Sequence, residues 1–335
     1  MSYTLDVYRG VLKPTRHIFH FFAYLSMFPQ LVAGPIVRAK DILAQLAVRQ
    51  HVSESDRWDG TRLILAGYFK KVVIADNLAY SVNYAFNSPQ MSQSSLYWWA
   101  IITAFAFQIY CDFSGYSDIA IGLARWMGYR FKLNFNHPYI AHSIRDFWGR
   151  WHISLSTWFR DYVYIPLGGS KTGPLRGHIN MWVTMVVSGL WHGAAWTFVI
   201  WGALHALYLS IERLTDWPEK LATSKTGMAL CQVIVLIQVW IAWVFFRAND
   251  FTQAFSILKV MFSFNTVMDA TIGFKALAIL VSFGLWEFTH RIKGNLIPQG
   301  ILIPHPMAQV AVYSIVAACC IYLRGPGAEF IYFQF

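Results

Sequence analysis

A run of 33 residues, 179–211, contains no Asp, Glu, Lys or Arg, and it constrains the fold more than any other part of the sequence. As one straight α-helix this run would be about 50 Å long, whereas the hydrocarbon core of a bilayer is about 30 Å thick. The run must therefore tilt strongly or break. Within the central sequence SGLWHGAAW, Gly189 and Gly193 lie on either side of His192, so we predict that the helix breaks there.

The composition is typical of a helical membrane protein. Of the 335 residues, 56% are hydrophobic and only 13% are charged, compared with about 25% charged residues in average soluble domains. The apolar and aromatic segment 96–111 leads directly into Asp112 and Asp118, which places two carboxylates at or just beyond membrane depth. Three plainer apolar segments predict further membrane-spanning helices: 228–246, 273–290 and 307–323.

Three other segments predict helical structure that does not cross the membrane in one straight run. Residues 17–37 are apolar but contain Pro29, which removes a backbone donor, so we predict a kinked or re-entrant segment. Residues 61–80 have two lysines in their middle and predict a helix at the interface. Residues 143–169 predict an amphipathic helix that lies flat against the bundle or folds into it. One face of that helix would carry Arg145, Trp148, His152, Ser156 and Phe159.

Positive charge is concentrated between residues 125 and 176, in a chain whose formal net charge is +10. This stretch contains eight Lys and Arg residues and only two acidic residues, Asp146 and Asp161. Contact with anionic lipid headgroups explains such a stretch best. Contact with an anionic substrate, such as an acidic polysaccharide or a phosphate-bearing donor, stays open as the alternative. Nothing in the pattern predicts a nucleic-acid partner.

His192 is the strongest candidate for a catalytic residue. Ionisable side chains at membrane depth are usually functional, although a helix bundle can also use a histidine simply as polar glue. Small neighbours such as Gly193 leave room for a ligand, and Trp191 and Trp196 can form the wall of a tunnel. Imidazole has an ordinary pKa of about 6.5, which suits a general base at neutral pH. For His152 the pattern alone favours neither a structural nor a functional role.

Other chemistries have weaker support. No pair among the six histidines from residue 137 to residue 205 has the i,i+3 or i,i+4 spacing of helical metal ligands, and the motif H-E-x-x-H is absent, so we predict no metal site. The histidines weighed were His137, His142, His152, His178, His192 and His205. Ser188 and His192 are spaced i,i+4 like a nucleophile and its base, but no Gly-x-Ser-x-Gly motif accompanies them.

Four long segments in a fixed order resemble the membrane-bound O-acyltransferase (MBOAT) family, in the branch of the bacterial alginate O-acetyltransferases. They read MFPQLVAGPIVRAKDILAQL (27–46), CDFSGYSDIAIGLARWMGYR (111–130), LNFNHPYIAHSIRDFWGRWHISLSTWFRDYVYIPLGG (133–169) and SGLWHGAAWTFVIWGALHAL (188–207). The resemblance continues through VFFRAND (244–250) and FIYFQF (330–335) and so covers the whole chain.

The resemblance implies an all-α polytopic membrane protein, a helical bundle with re-entrant and interfacial helices around a central tunnel. Residues 1–335 would form a single transmembrane domain in the bacterial inner membrane, one that begins inside the family pattern without its N-terminal helices. His192 would be the catalytic histidine in the tunnel, and His152 the second active-site position. A further family motif, to which chemistry assigns no role, is matched by Asp112, Ser114, Tyr116 and Asp118.

The resemblance also implies a reaction. The protein would move an acetyl group from acetyl-CoA or another acyl thioester to hydroxyls of an exported polysaccharide such as alginate. It would need no bound cofactor and would work with periplasmic acetylation partners. Three alternatives stay open: a transporter or channel subunit that binds its substrate at residues 186–207, a scaffold that passes acetyl to a partner serine, and transfer of D-alanine to a teichoic acid.

Overall fold

A computed structural model of the chain describes residues 1–31, 33–267, 272–293 and 306–331, and these ranges are helical without any β-strand. The predicted all-α fold is confirmed. Short 3-10 segments occur at Phe28–Gln30 and Pro138–Ile140, and π-helical segments at Phe69–Ala75 and Arg160–Tyr164. The α-helices are Ser2–Tyr8 (α1), Ile18–Leu25 (α2), Ala39–Leu46 (α3), Glu54–Tyr68 (α4), Asp76–Asn87 (α5), Ser95–Trp126 (α6), Ile144–Arg150 (α7), Ile153–Phe159 (α8), Pro174–His192 (α9), Trp196–Thr215 (α10), Trp217–Leu221 (α11), Lys225–Arg247 (α12), Phe251–Met261 (α13), Phe274–Lys293 (α14) and Pro306–Tyr322 (α15).

Helix α6 is the centre of the molecule. It runs for 32 residues without a break, from the apolar segment 96–111 through both predicted carboxylates. Helices α4 and α5, with the π-helical segment between them, pack against α6, and so do α12 and α13. Most residues of α6 are buried, which explains why so many of its positions are apolar or small.

The uncharged run 179–211 folds into an antiparallel hairpin of α9 and α10. Helix α9 ends at His192, residues 193–195 form the turn, and α10 begins at Trp196, so the predicted break is confirmed. The two helices approach closely at Gly189, where an added Cβ would lie only 2.2 Å from the carbonyl oxygen of Phe198. At the far end of the hairpin, Trp182 Nε1 donates to Ser210 Oγ at 3.0 Å.

The prediction of one amphipathic helix over 143–169 is wrong, because the helix is interrupted between Arg150 and Ile153. Helix α7 ends at Arg150 and α8 begins at Ile153, because His152 has a left-handed backbone with φ of 41°. His152 therefore does not share a helical face with Arg145 and Phe159. Its side chain turns into the protein core and is 3% exposed.

The helix predicted over 61–80 exists, but its lysines do not support an interfacial position. Lys70 and Lys71 lie in the π-helical segment between α4 and α5. Lys70 Nζ is 2.7 Å from Asp118 Oδ2, and Lys71 Nζ is 2.8 Å from Asp112 Oδ1, both on α6. The basic pair is thus part of the helix packing. In the segment 17–37 the helix ends at Leu25, before Pro29, as the proline predicts.

In the part of the chain that the structure describes, α12 is the one helix both long and apolar enough to cross a membrane. At about 1.5 Å per residue its 23 residues extend about 34 Å, slightly more than a hydrocarbon core of about 30 Å. Helices α14 and α15 confirm helical structure in the other two apolar segments. Their described apolar parts, Lys275–Leu285 and Met307–Tyr322, are shorter. Multiple membrane crossings therefore stay a prediction.

Candidate active site

His192 lies at the end of α9 within a group of aromatic rings. The ring centroids of Trp191 and Trp201 are each 5.0 Å from that of His192, and the ring of Phe246 is 5.1 Å away. All three rings meet the imidazole edge to face. Trp191 comes from the same helix, Trp201 from α10 and Phe246 from the end of α12, so three helices define the position of this imidazole.

His152 contacts the ring of Trp191 as well. The ring centroid of Trp191 is 6.4 Å from that of His152, and Phe113 of α6 contacts His152 with a centroid distance of 4.5 Å. The two predicted site residues, 40 positions apart in the sequence, therefore contact the same indole ring. Their closeness agrees with a shared site, while their catalytic roles stay predictions.

One buried residue, Asn134, binds the residues that follow the left-handed turn at His152 through both its backbone and its side chain. The carbonyl oxygen of Asn134 accepts a hydrogen bond from Ile153 N at 2.8 Å. Its side-chain Oδ1 accepts from Ser154 N at 3.2 Å and from Ser154 Oγ at 2.8 Å. Its Nδ2 donates to Ser117 Oγ of α6 at 3.1 Å. Asn134 therefore fixes the residues directly after His152 onto the central helix.

A third histidine, which the sequence suggested only as a metal ligand, belongs to the same aromatic group. His205 is fully buried, with the rings of Trp201 and Trp148 at centroid distances of 4.9 and 5.0 Å. Among the described residues, neither nitrogen of His205 has a hydrogen-bond partner, and neither do the indole nitrogens of Trp148 and Trp201. His205 therefore lies among aromatic rings beside His192, although nothing in the sequence indicated that position.

A cavity of about 560 Å³, here called the arginine cavity, lies beside the α9–α10 hairpin. Its walls include three arginines, Arg145, Arg160 and Arg213, and three carboxylates, Glu212, Asp216 and Glu219. The carboxylate of Glu212 has a structural role, because it accepts hydrogen bonds from the backbone N–H groups of Ile144 and Arg145 at the start of α7.

Neither predicted catalytic histidine lines the arginine cavity. Leu155 and Ser156 line the cavity, and their backbone N–H groups donate to the carbonyl oxygen of His152, both at 3.0 Å. On the side of His192 the wall includes Ser188, one helical turn before His192, and Trp148, whose ring contacts Trp201 with a centroid distance of 5.8 Å. Trp201 in turn contacts His192. Two aromatic rings therefore separate the cavity from the imidazole at this point.

The carboxylates at membrane depth have a structural position. Lys71 Nζ lies between Asp112 Oδ1 and Asp76 Oδ1, 2.8 Å from each, and also donates to the carbonyl oxygen of Ala328 at 3.0 Å. Asp112 Oδ2 accepts from Ile331 N at 2.7 Å. Asp112 therefore joins α6 to residues 325–331, whereas Asp118 of the same motif pairs with Lys70.

The other weighed histidines have separate positions. His137 starts the 3-10 segment Pro138–Ile140 with a left-handed φ of 46°. His142 Nδ1 is 4.0 Å from Asp146 Oδ2. His178 is on α9, 14 residues before His192 and thus about 21 Å away along the helix. Within the described ranges no group of three or more His, Cys, Asp or Glu side chains could hold a metal ion.

Comparisons with known proteins give the family. The model of the membrane-bound O-acyltransferase family, MBOAT, matches residues 11–249. The chain is 37% identical to the probable alginate O-acetylase AlgI of Azotobacter vinelandii, in an alignment that covers all of the chain and 73% of that protein. It is 41% identical to the probable alginate O-acetylase AlgI of Pseudomonas aeruginosa, over 86% of the chain and 56% of that protein. It is 35% identical to the peptidoglycan O-acetyltransferase of Helicobacter pylori, over 91% of the chain and 56% of that protein.

An all-helical fold with an apolar, aromatic candidate site is consistent with a class of membrane-embedded transferases. The chain belongs to the membrane-bound O-acyltransferase family. The predicted family and the predicted class of enzyme, an O-acyltransferase, are confirmed at that level, and the likeness to alginate O-acetylases is as predicted. The chain spans between 56% and 73% of the length of these three relatives.

Proposed function

We propose that this protein transfers an acetyl group from an acyl thioester, such as cytoplasmic acetyl-CoA, to hydroxyls of an exported polysaccharide such as alginate. His192 acts as the general base, and His152 is the second active-site residue. The observation that carries the proposal is the contact of both histidines with Trp191, at the break of an uncharged helical hairpin. Family membership supplies the class of reaction.

The chemistry needs a base at this point. A sugar hydroxyl is a weak nucleophile, so the imidazole of His192 accepts its proton while the oxygen attacks the thioester carbonyl carbon. The new ester C–O bond forms, the C–S bond breaks, and the leaving thiolate takes up the proton. His152 orients the acyl carbonyl or the imidazole, and correct positioning of the two reactants supplies much of the rate.

The arginine cavity suits the donor. Thioesters of the coenzyme A type carry phosphates, and arginine side chains bind phosphate groups through paired hydrogen bonds. Among the described residues, Arg145 and Arg213 make no ion pair with a carboxylate. The wall of the cavity includes Pro218 and Glu219 of α11, the short helix that precedes α12, the helix of membrane length. The donor would enter at that end and reach His192 through a central tunnel.

The acceptor and the setting follow from the relatives. Two of them are named for alginate and one for peptidoglycan, so we propose a hydroxyl-bearing polymer outside the cytoplasm as the acceptor. We further propose that residues 1–335 form one multi-pass transmembrane domain in the bacterial inner membrane, contacting lipid through the basic stretch 125–176, with periplasmic proteins as partners.

The test is the replacement of His192. His192→Ala in the full chain, at matched membrane abundance, should lower polymer acetylation by at least about 100-fold, the usual contribution of a positioned general base. The matched control is His178→Ala, which removes a histidine from the same helix about 21 Å away along its axis. The measurement is ester-linked acetate on the exported polymer. Unchanged acetylation in His192→Ala would exclude the proposed mechanism.

A further inference from the structure

A second cavity, about 520 Å³ in volume, lies against one face of α5. Beside Asp76, Ala79 and residues 326–328, its walls include tyrosine, asparagine and charged side chains: Tyr80, Tyr84, Asn83, Asn87, Arg247 and Glu329. We propose that this tyrosine cavity binds the saccharide chain of the acceptor. The inference rests on the proposed function and adds the place where its acceptor binds.

The α5 residues of the cavity share one helical face by their spacing. In the sequence YSVNYAFN the tyrosines are at positions 80 and 84 and the asparagines at 83 and 87, so each pair is spaced i,i+4. Tyr80 is 70% and Tyr84 is 66% exposed. The face thus presents two largely exposed aromatic rings and two amides side by side.

The end of α12 completes the cavity. Arg247, the last residue of α12, donates from Nη2 to Asn83 Oδ1 at 2.9 Å, and its guanidinium lies over the ring of Phe86. These contacts fix the guanidinium and hold Asn83 in one orientation. Sugars combine apolar C–H faces with dense hydroxyl groups, so a site for them needs rings to cover the former and amides or ions to bind the latter.

Each cavity has wall residues close to one end of the one helix of membrane length. Pro218 and Glu219 of α11, which precedes α12, are among the residues that line the arginine cavity, whereas Arg247, which ends α12, lines the tyrosine cavity. If α12 crosses the bilayer, the cavities open toward opposite faces. A donor from one compartment and an acceptor in the other would then approach the same site from its two sides.

Direct contacts connect the tyrosine cavity to both histidines. Arg247 follows Phe246, whose ring is 5.1 Å from that of His192. Glu329 precedes Phe330, whose ring contacts Phe113 at 6.1 Å. Phe113 in turn contacts His152 with a centroid distance of 4.5 Å. One side chain, Phe246, therefore lies between the cavity wall and His192, and two, Phe330 and Phe113, lie between the wall and His152.

The experiment measures saccharide binding by the purified full chain without any donor. The probe is a short unacetylated alginate oligosaccharide carrying a fluorescent label, read by anisotropy. Tyr84→Ala and, separately, Asn87→Ala should weaken binding by roughly tenfold, since losing one ring contact or one hydrogen bond is worth about that factor. Tyr8→Ala is the matched control, because Tyr8 is 88% exposed and is not a wall residue of this cavity. It should bind the probe as the wild type does.

Two results would overturn the inference. One is unchanged oligosaccharide affinity in both Tyr84→Ala and Asn87→Ala. The other is a loss of binding to phosphatidylglycerol vesicles with oligosaccharide affinity intact, which would make the tyrosines anchors at the lipid headgroups. The proposed function is tested separately by thiol release from acetyl-CoA in His192→Ala. If the thiol-release test fails, the saccharide-binding result still holds. If the binding test fails, the proposed role of His192 as general base is not affected.

Discussion

At the scale of single residues, the position of His152 depends on a side chain 18 positions earlier. A left-handed backbone is unfavourable for a residue with a Cβ, and such strain persists where surrounding contacts determine it. Asn134 supplies those contacts by accepting three hydrogen bonds from Ile153 and Ser154, the residues directly after the turn. Asn134 is therefore a positioning residue for His152.

Replacing Asn134 should impair the reaction more than the fold. Asn134→Ala leaves Ser154 N and Oγ without their acceptor, and an unpaired buried donor costs about 1–3 kcal/mol. We expect a clear loss of acetylation, with the maximal rate lowered more than the apparent affinity for acceptor, because the chemistry depends on how His152 is oriented.

Asn136→Ala is the matched control for this prediction. Asn136 also lies in the segment before α7, but its side-chain Oδ1 is buried without a hydrogen-bond partner among the described residues, and its backbone N–H bond to Arg150 would survive the change. Equal losses in the two variants, measured as rate against acceptor concentration, would contradict the positioning role.

The sequence placed His192 correctly at a helix break but could not place His152 or His205. Small residues and tryptophans beside His192 are local features, so local reasoning was sufficient there. The turn at His152 depends on Asn134, and the burial of His205 depends on Trp148 from another helix. Such contacts between distant segments leave no periodic signal in the sequence, which is why His152 was wrongly placed on a continuous helical face.

At the scale of elements, the α9–α10 hairpin sets the distance between the helices that carry His192 and its aromatic neighbours. Close approach of helices in a membrane depends on small residues at the contact. Gly189 faces the carbonyl of Phe198, and Gly202 faces that of Met185, with added Cβ atoms 2.2 and 2.3 Å from these oxygens. Neither oxygen belongs to a flexible side chain that could move away.

Gly189→Ala should therefore separate the helices and lower both melting temperature and acetylation. Alanine is normally the better helix residue, by about 1 kcal/mol, so a destabilising effect would have to come from the contact. Gly284→Ala is the control, since a Cβ at Gly284 on α14 meets nothing within 4 Å. Thermal unfolding in detergent checks both. A Gly189→Ala variant as stable and active as Gly284→Ala would show that the hairpin contact is not tight.

The helix ends near glycine and proline could be predicted from the sequence. The position of a helix that carries buried charged side chains could not. The break at Gly193 and the helix end before Pro29 follow from local backbone chemistry. Lys70 and Lys71 suggested an interfacial helix, because the sequence does not reveal that carboxylates on α6 face them. The repeat of Tyr80 and Tyr84 with Asn83 and Asn87 was visible in the sequence as a helical face.

At the scale of the whole molecule, one lysine ties the C-terminal segment to the core. Lys71 contacts Asp76 and Asp112, whose side chains are only 6% and 3% exposed, and donates to the carbonyl of Ala328. Gly325 N donates to the carbonyl of Val72 at 2.8 Å, within the same π-helical segment. The segment 325–331 carries Glu329 and Phe330, so this attachment also fixes part of the tyrosine cavity.

Lys71→Met should destabilise the protein strongly, because it leaves two buried carboxylates without their cation. Removing one partner of a buried ion pair costs about 3–5 kcal/mol, whereas an exposed pair contributes about 0–1 kcal/mol. The control is Lys132→Met: Lys132 Nζ is 2.6 Å from Asp41 Oδ2, but its side chain is 74% exposed. Burial, not distance, should therefore decide the ranking of the two variants.

Thermal unfolding gives the stability, and trypsin cleavage after the exposed Arg324 reports detachment of the segment. Faster cleavage in Lys71→Met alone is the expected result, and equal stability and cleavage in the two variants would show that Lys71 does not hold the C-terminal segment.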